Sequence, residues 1–366
     1  MKNIKIVIGS NFGDEGKGQM VDYFTQTPDN IVVCSNGGAQ RGHTVTTPEG
    51  IRHIFHHFGS GTFNGAATYF PKDFIVNPML FKQEYDELSE LKCVPKEIYA
   101  NKKCMITTPY DMMANQIIEE NRGNNKHGSC GLGVFETIKR YEANIQTLNY
   151  VAVREYYLNK FKSVNIDLSD KWKELFFNEN IVEHFMEDCK FMRNHCYCIE
   201  DDFLNYFNNI VFEAAQGLLL DQNNLEYFPH LTPSNTGIKN PKKIIEGICW
   251  NDEINIETCY VSRTYLTRHG AGSFPSECDK SQINENIFDK TNIPNPFQNT
   301  LRYGTLDLKS LYDRCNKDVG EFGNKKALAL THCNECDWDN EELIELFKDW
   351  NIYYSDGETR KNIELK

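Results

Sequence analysis

Short apolar runs alternate with amphipathic stretches over the first part of the chain. Residues 4–8 (Ile-Lys-Ile-Val-Ile) form a strand-length run that ends in a glycine-rich turn, and residues 18–25 then take helical spacing. Residues 30–34 form a second apolar run, again ending in glycines, and residues 74–76 a third. Asn77-Pro78 follows, leading into a charged helix over residues 81–91. Residues 211–214, 257–261 and 327–330 repeat the strand pattern further along. Strands separated by helices predict an α/β fold, a P-loop-NTPase-like, mostly parallel sheet flanked by helices. In such sheets ligands collect at the carboxyl ends of the strands, where both glycine turns lie.

Residues 141–209 differ in texture, being rich in Lys, Glu, Asn and aromatics without chemical motifs. They are expected to be a helical insertion within a single domain covering residues 1–366. Residues 292–300, with two prolines and three asparagines, are expected to be a surface loop.

Composition narrows the classes. The 366 residues carry 39 Lys+Arg against 52 Asp+Glu, a net charge of −13, with 40% apolar and 25% charged residues. These are globular proportions. The acidic balance disfavours a protein bound to nucleic-acid phosphates or anionic lipid. The first residues run into a strand with no cleavable leader, and no apolar stretch approaches bilayer length, so no membrane partner and a cytoplasmic setting are expected. Thirteen scattered cysteines then read as reduced thiols. His332-Cys333-Asn334-Glu335-Cys336 contains a CxxC pair, but no second pair completes a zinc site.

Chemistry concentrates in glycine loops. Gly9-Ser10-Asn11-Phe12-Gly13-Asp14-Glu15-Gly16-Lys17-Gly18 follows a strand and opens a helix, the context in which backbone N–H groups hold phosphate. It is not a Walker A loop, since Asn11 replaces the first glycine and Gly18 the Mg²⁺-binding hydroxyl. Two acids inside such a loop repel phosphate, unless one holds Mg²⁺ or removes a proton. Asn36-Gly37-Gly38-Ala39-Gln40-Arg41-Gly42-His43-Thr44 places a histidine on a second glycine turn, where it could donate to a phosphoryl oxygen. Phe212-Glu213-Ala214-Ala215-Gln216-Gly217 offers an amide suited to a base edge.

Taken together these loops are specific. With Thr267-Arg268 and the run to Glu277, and with Ser234-Asn235-Thr236, their order resembles adenylosuccinate synthetase from Ile4 to about Arg360. His56-His57-Phe58-Gly59-Ser60-Gly61 is similar to a further turn of that family. The resemblance implies a C–N ligase. Asp14 takes the N1 proton of a 6-oxopurine nucleotide, whose O6 attacks the γ-phosphate of a triphosphate. His43 assists that transfer, Gln216 contacts the base, and L-aspartate's amine displaces phosphate at C6. It further implies Mg²⁺ held by Asp14 and the Gly42 carbonyl. Nucleotide contacts are implied at Gly13, Glu15, Gly16, Lys17, Gly18, Gly42, Thr44, Asn334, Ser355 and Gly357. Substrate contacts are implied at Asn36, Gln40, Ser129, Arg140, Thr232, Arg268 and Arg302. A homodimer is implied as well, with Arg140 a candidate for the arginine that reaches a partner's phosphate.

The departures bear on substrate. Gln40-Arg41 stands where the family has Asn-Ala, and His127-Gly128-Ser129-Cys130-Gly131-Leu132-Gly133 lacks the family's loop arginine. The arginine-rich aspartate loop is reduced to Thr300-Leu301-Arg302-Tyr303-Gly304. These variants resemble the phage branch that makes 2-aminoadenylosuccinate from dGMP for diaminopurine DNA, in which case the setting is a host cytoplasm. dGMP is the expected substrate, and IMP with GTP the alternative. Asn334 stands where the family reads guanine with an aspartate. An amide presents the donor and acceptor that adenine wants, so ATP is the expected energy donor. Two other classes compete: a nucleotide-binding regulator without catalysis, and a P-loop switch GTPase. Retention of Asp14, Lys17, His43 and Gln216 speaks against the first. The missing Walker hydroxyl and Asn334 speak against the second.

Overall fold

The computed structural model describes residues 1–27, 29–123, 129–291, 300–336 and 338–366. The expected loop at residues 292–300 lies outside these except for Thr300, as do His127 and Gly128.

Among the described residues the main sheet has ten strands. Their order across the sheet is Tyr197–Ile199, Ile98–Asn101, Ala67–Phe70, Asn30–Cys34, Asn209–Gly217, Lys2–Gly9, Ile254–Arg263, Lys325–Thr331, Asn351–Ser355 and Ile363–Leu365. Every neighbouring pair is parallel except the last. The opening strand is therefore central. Its side chains alternate between the faces, so Ile4, Ile6 and Ile8 join one apolar cluster and Val7 another.

The expected third strand at residues 74–76 is a strand, Phe74–Val76, but not of this sheet. It pairs with Gly37–Gly38 and Met105–Ile106 in a small separate sheet, while Ala67–Phe70 takes the place beside Asn30–Cys34. Ala-Thr-Tyr-Phe has too few aliphatic residues to stand out as an apolar run, yet all four are buried.

Helix Pro78–Glu90 starts where Asn77 Oδ1 accepts from the N–H groups of Met79 (3.2 Å) and Leu80 (3.3 Å). Helix Pro109–Asn121 starts on a reciprocal capping box between Thr108 and Asp111. Within residues 141–209 lie helices Tyr150–Ser163, Asp170–Phe176 and Glu179–His195, followed by the outermost strand of the main sheet. Val153, Tyr157, Phe161, Trp172 and Phe176 pack with Tyr110, Met113 and Ile117 in an apolar cluster of their own.

Candidate active site

A cleft of about 1440 Å³ opens over the carboxyl ends of the central strands. The first glycine loop forms its floor. Gly16 holds φ 91° at the start of helix Lys17–Phe24, a left-handed conformation that a side chain would strain, and Asp14 itself sits at φ 57°. Arg263, from the end of its strand, fixes that conformation by donating through Nε to the Asp14 carbonyl at 2.6 Å. Asp14 Oδ2 lies 3.4 Å from His269 Nε2. Glu15 is buried instead, accepting from the Asn11 N–H at 2.5 Å, with Oε2 3.6 Å from Lys17 Nζ. Burial pushes the Glu15 carboxyl up, against the pull of Lys17.

Gln216 reaches the same loop through a bulge. Val7 pairs with Glu213 and Gly9 with Gly217, so four residues of one strand match two of the other. The extra length turns Gln216 to φ 65° beside Gly13.

His43 is 6% exposed, and its Nδ1 donates to Glu213 Oε1 at 2.7 Å. Glu213 is fully buried and also meets Arg41 Nη1 at 3.3 Å and the Ser60 N–H at 3.2 Å. Burial alone would raise the Glu213 carboxyl, but Arg41 and His43 hold it at about 2. Burial lowers the His43 imidazole to about 4. The pair therefore rests as a carboxylate and a neutral ring, with Nε2 the nitrogen left for the cleft. Arg41 is itself enclosed, donating to the carbonyls of His56 (2.9 Å), His57 (2.7 Å) and Phe58 (2.8 Å).

Most of the expected residues line this one cleft. Gly13, Asp14, Glu15, Gly16, Lys17 and Gly18 do so from the first loop, and Gln40, Gly42, His43 and Thr44 from the second. Gln216, Thr232, Arg268, Asn334, Gly357 and Ser129 line it as well. Gln40 Oε1 is a buried acceptor with no hydrogen-bond partner among the described residues. Ser129 Oγ meets Asn115 Oδ1 at 2.9 Å. Arg268 packs against the rings of Phe12 and Tyr227, donates to the Ser273 carbonyl at 2.6 Å, and its buried Nε has no hydrogen-bond partner among the described residues. Burial and the nearby Arg302 lower its guanidinium to about 10.

Four of the expected residues, Arg140, Arg302, Asn36 and Ser355, do not line the cleft. Arg140 is fully buried and does not line the cleft. Its Nε and Nη2 clamp Asp111 (2.8 and 2.9 Å), and its other donors reach the Ile106 and Ile145 carbonyls and Thr147. No donor is left for a partner's phosphate. Arg302 turns onto Glu277 (Nε to Oε1 2.8 Å) and the carbonyls of Gly270 and Gly272. Asn36 is engaged with Ala215 on both its N–H and carbonyl and with Ser234, tying two strand ends together. Ser355 is buried on Gln19 and the Gly357 carbonyl.

Glu213, Arg263 and His269 had not been assigned roles from the chain alone. Glu213 carried a signal: an acid inside an apolar strand must be partnered. Arg263 and His269 carried none.

A cation here would meet hard oxygen donors, the Asp14 carboxylate and the Gly42 carbonyl, a set that suits Mg²⁺ when nucleotide phosphates and water complete its shell. Among the described residues no three His, Cys, Asp or Glu side chains cluster as a self-sufficient metal site.

A family model described as adenylosuccinate synthetase matches residues 6–334. The adenylosuccinate synthetase of Microcystis aeruginosa is 28% identical over 309 residues, covering 79% of this chain and 65% of that protein. That of Borrelia duttonii is 27% identical over 346 residues, covering 90% and 75%. The chain thus spans about 65% of the length of its cyanobacterial relatives. Among solved structures, fully ligated adenylosuccinate synthetase from Plasmodium falciparum superposes with a TM-score of 0.73 at 16% identity, covering all of both chains. Cyanophage S-2L succinoaminodeoxyadenylate synthetase (PurZ), bound to dGMP and dATP, gives 0.68 at 14% identity, covering 100% and 95%. At such identities these two structures establish the shared fold.

Proposed function

The chain belongs to the adenylosuccinate synthetase family, and on that premise we propose that it is a ligase joining L-aspartate to C6 of a 6-oxopurine nucleotide, dGMP in preference to IMP, with ATP as energy donor. One observation carries the reading. Three strand ends bring the Asp14 carboxylate, the Glu213-anchored His43 and the Gln216 amide to a single cleft floored by a phosphate-type glycine loop.

The chemistry follows from those positions. Asp14 accepts the proton from purine N1, so that O6 becomes an alkoxide-like nucleophile. O6 attacks the γ-phosphorus, the bond to the β,γ-bridging oxygen breaks, and ADP leaves. Charge grows on the transferring group beside His43, and this favours uptake of a solvent proton at Nε2, giving an imidazolium whose Nε2–H donates to that group. Lys17 adds a point charge among the phosphates. The aspartate amine next adds to C6 and loses a proton as inorganic phosphate departs. Arg268, a cation lining the cleft, holds an anionic group of a substrate. Mg²⁺ bound at Asp14 and Gly42 would neutralise phosphate charge.

Two features support the finer substrate choice. Arg302 turns away to Glu277, so no arginine from that strand is offered to a ribose 2′-OH. Asn334 lines the cleft with an amide where a guanine-reading site wants two acceptors.

A nucleotide panel tests the reading: dGMP, GMP or IMP, each with ATP or GTP, Mg²⁺ and aspartate, followed by phosphate release. Turnover is expected to be fastest with dGMP and ATP, and Asp14→Asn should abolish turnover while nucleotides still bind. Preference for IMP with GTP would overturn both substrate assignments, and no turnover with any pair would favour a regulatory role.

A further inference from the structure

Residues 287–291 line the cleft, as do Asn334, Glu335, Gly357 and Glu358, and contacts from residues 284, 289, 290 and 291 hold the segment there. Asn284 Nδ2 donates to the Glu335 carbonyl at 2.8 Å. Asp289 Oδ2 pairs with Arg263 Nη2 at 2.9 Å, and Lys290 Nζ with Glu358 Oε1 at 2.5 Å. Thr291 Oγ1 lies 3.2 Å from Thr44 Oγ1 and accepts from Arg52 at 2.6 Å. Ile287 is buried, whereas Phe288 lines the cleft and is 76% exposed.

A single exposed phenylalanine on a free surface needs no explanation. Phe288 is different because of where its tethers end. Residue 284 is fastened to Glu335, next to Asn334, and residue 290 to Glu358, next to Gly357. The ring is therefore held at the cleft between these two turns, and a flat apolar ligand would cover it.

We propose that Phe288 is a stacking platform for the purine of the nucleoside triphosphate. The assignment rests on the reading that Asn334 faces that purine. Every base has a π-face, so stacking supplies affinity without choosing between bases. Phe288 then contributes binding, and the Asn334 amide contributes the preference.

Titration calorimetry on the full chain tests this, with Mg²⁺ present and with ATP, GTP and inorganic tripolyphosphate as titrants. Tripolyphosphate carries the charge without a base. Phe288→Ala is expected to weaken ATP roughly ten- to hundred-fold, to leave tripolyphosphate unchanged, and to be rescued by Phe288→Trp. The tripolyphosphate titration also shows that the cleft is intact. ATP binding equal to the parent protein's, or an equal loss for tripolyphosphate, would overturn stacking. If the parent protein prefers GTP, the Asn334 reading fails by itself, and stacking stands only if Phe288→Ala weakens GTP by a similar factor. Binding of neither purine triphosphate to the parent protein would overturn the proposal as well.

Discussion

Arg140 and Arg268 are both buried cations from regions rich in motif residues, and only their surroundings separate them. Every donor of Arg140 faces Asp111, a carbonyl or Thr147, whereas Arg268 lines the cleft. Removing one side of a buried ion pair strands the other, at a cost of about 3–5 kcal/mol. Arg140→Met should therefore lower the unfolding free energy by an amount of that size, read from the denaturant midpoint and slope, while KM for the monophosphate stays near its original value wherever the fold persists. A raised KM with unchanged stability would return Arg140 to the substrate. Which of two arginines meets a ligand was not legible in the chain, because residue type is the same and only the geometry of the donors differs. Glu213 was closer to legible, since an acid in the run Val211-Phe212-Glu213-Ala214 has to find a partner, though nothing in the run says that the partner is His43.

At the scale of elements, the strand ends and the loops between them set the site. Gly217 shows how tight that join is. A Cβ there would come within 2.3 Å of the Asn11 carbonyl oxygen and 2.8 Å of the Gly13 N–H nitrogen, both backbone atoms of the first loop. Gly217→Ala should push the loop that carries Asp14 and Lys17 away from Gln216. The expected outcome is a fall in kcat of at least about tenfold, since misplacing reacting groups by an ångström costs that or more, while the circular dichroism spectrum is retained. Full activity in this variant would show that the loop has slack. Strands 4–8 and 30–34 are legible because short runs rich in Ile and Val that lead into glycine turns favour a strand. Ala67–Phe70 is not legible in the sequence and Phe74–Val76 joins the smaller sheet, because a strand of three or four residues acquires its partner from packing and not from its own composition. The bulge before Gly217 was invisible for the same reason, as it exists only relative to the register of Lys2–Gly9.

The whole molecule is acidic, yet Lys17, Arg41, Arg52, Arg263, Arg268 and Lys290 all come to the cleft. Ligands that bind there link otherwise separate loops, so binding should be visible as global stabilisation. At about one hundred times Kd, one ligand adds about 2.7 kcal/mol, and Mg²⁺ with ATP and dGMP should raise Tm by several degrees, an increase largely lost when a chelator removes the ion. No shift under saturating nucleotide would contradict the proposed site. By itself the sequence determined the α/β class, the order of the glycine loops and the residue types able to move a proton and hold phosphate, because these depend on local periodicity and on motifs contiguous in the chain. Only the tertiary structure decided that Glu213 holds His43, that Arg263 fixes Asp14, that Arg140, Asn36 and Ser355 are internal, and that Arg302 pairs with Glu277. Those outcomes depend on which side chains share a few ångströms after distant strands pair, and no segment carries that distance within itself.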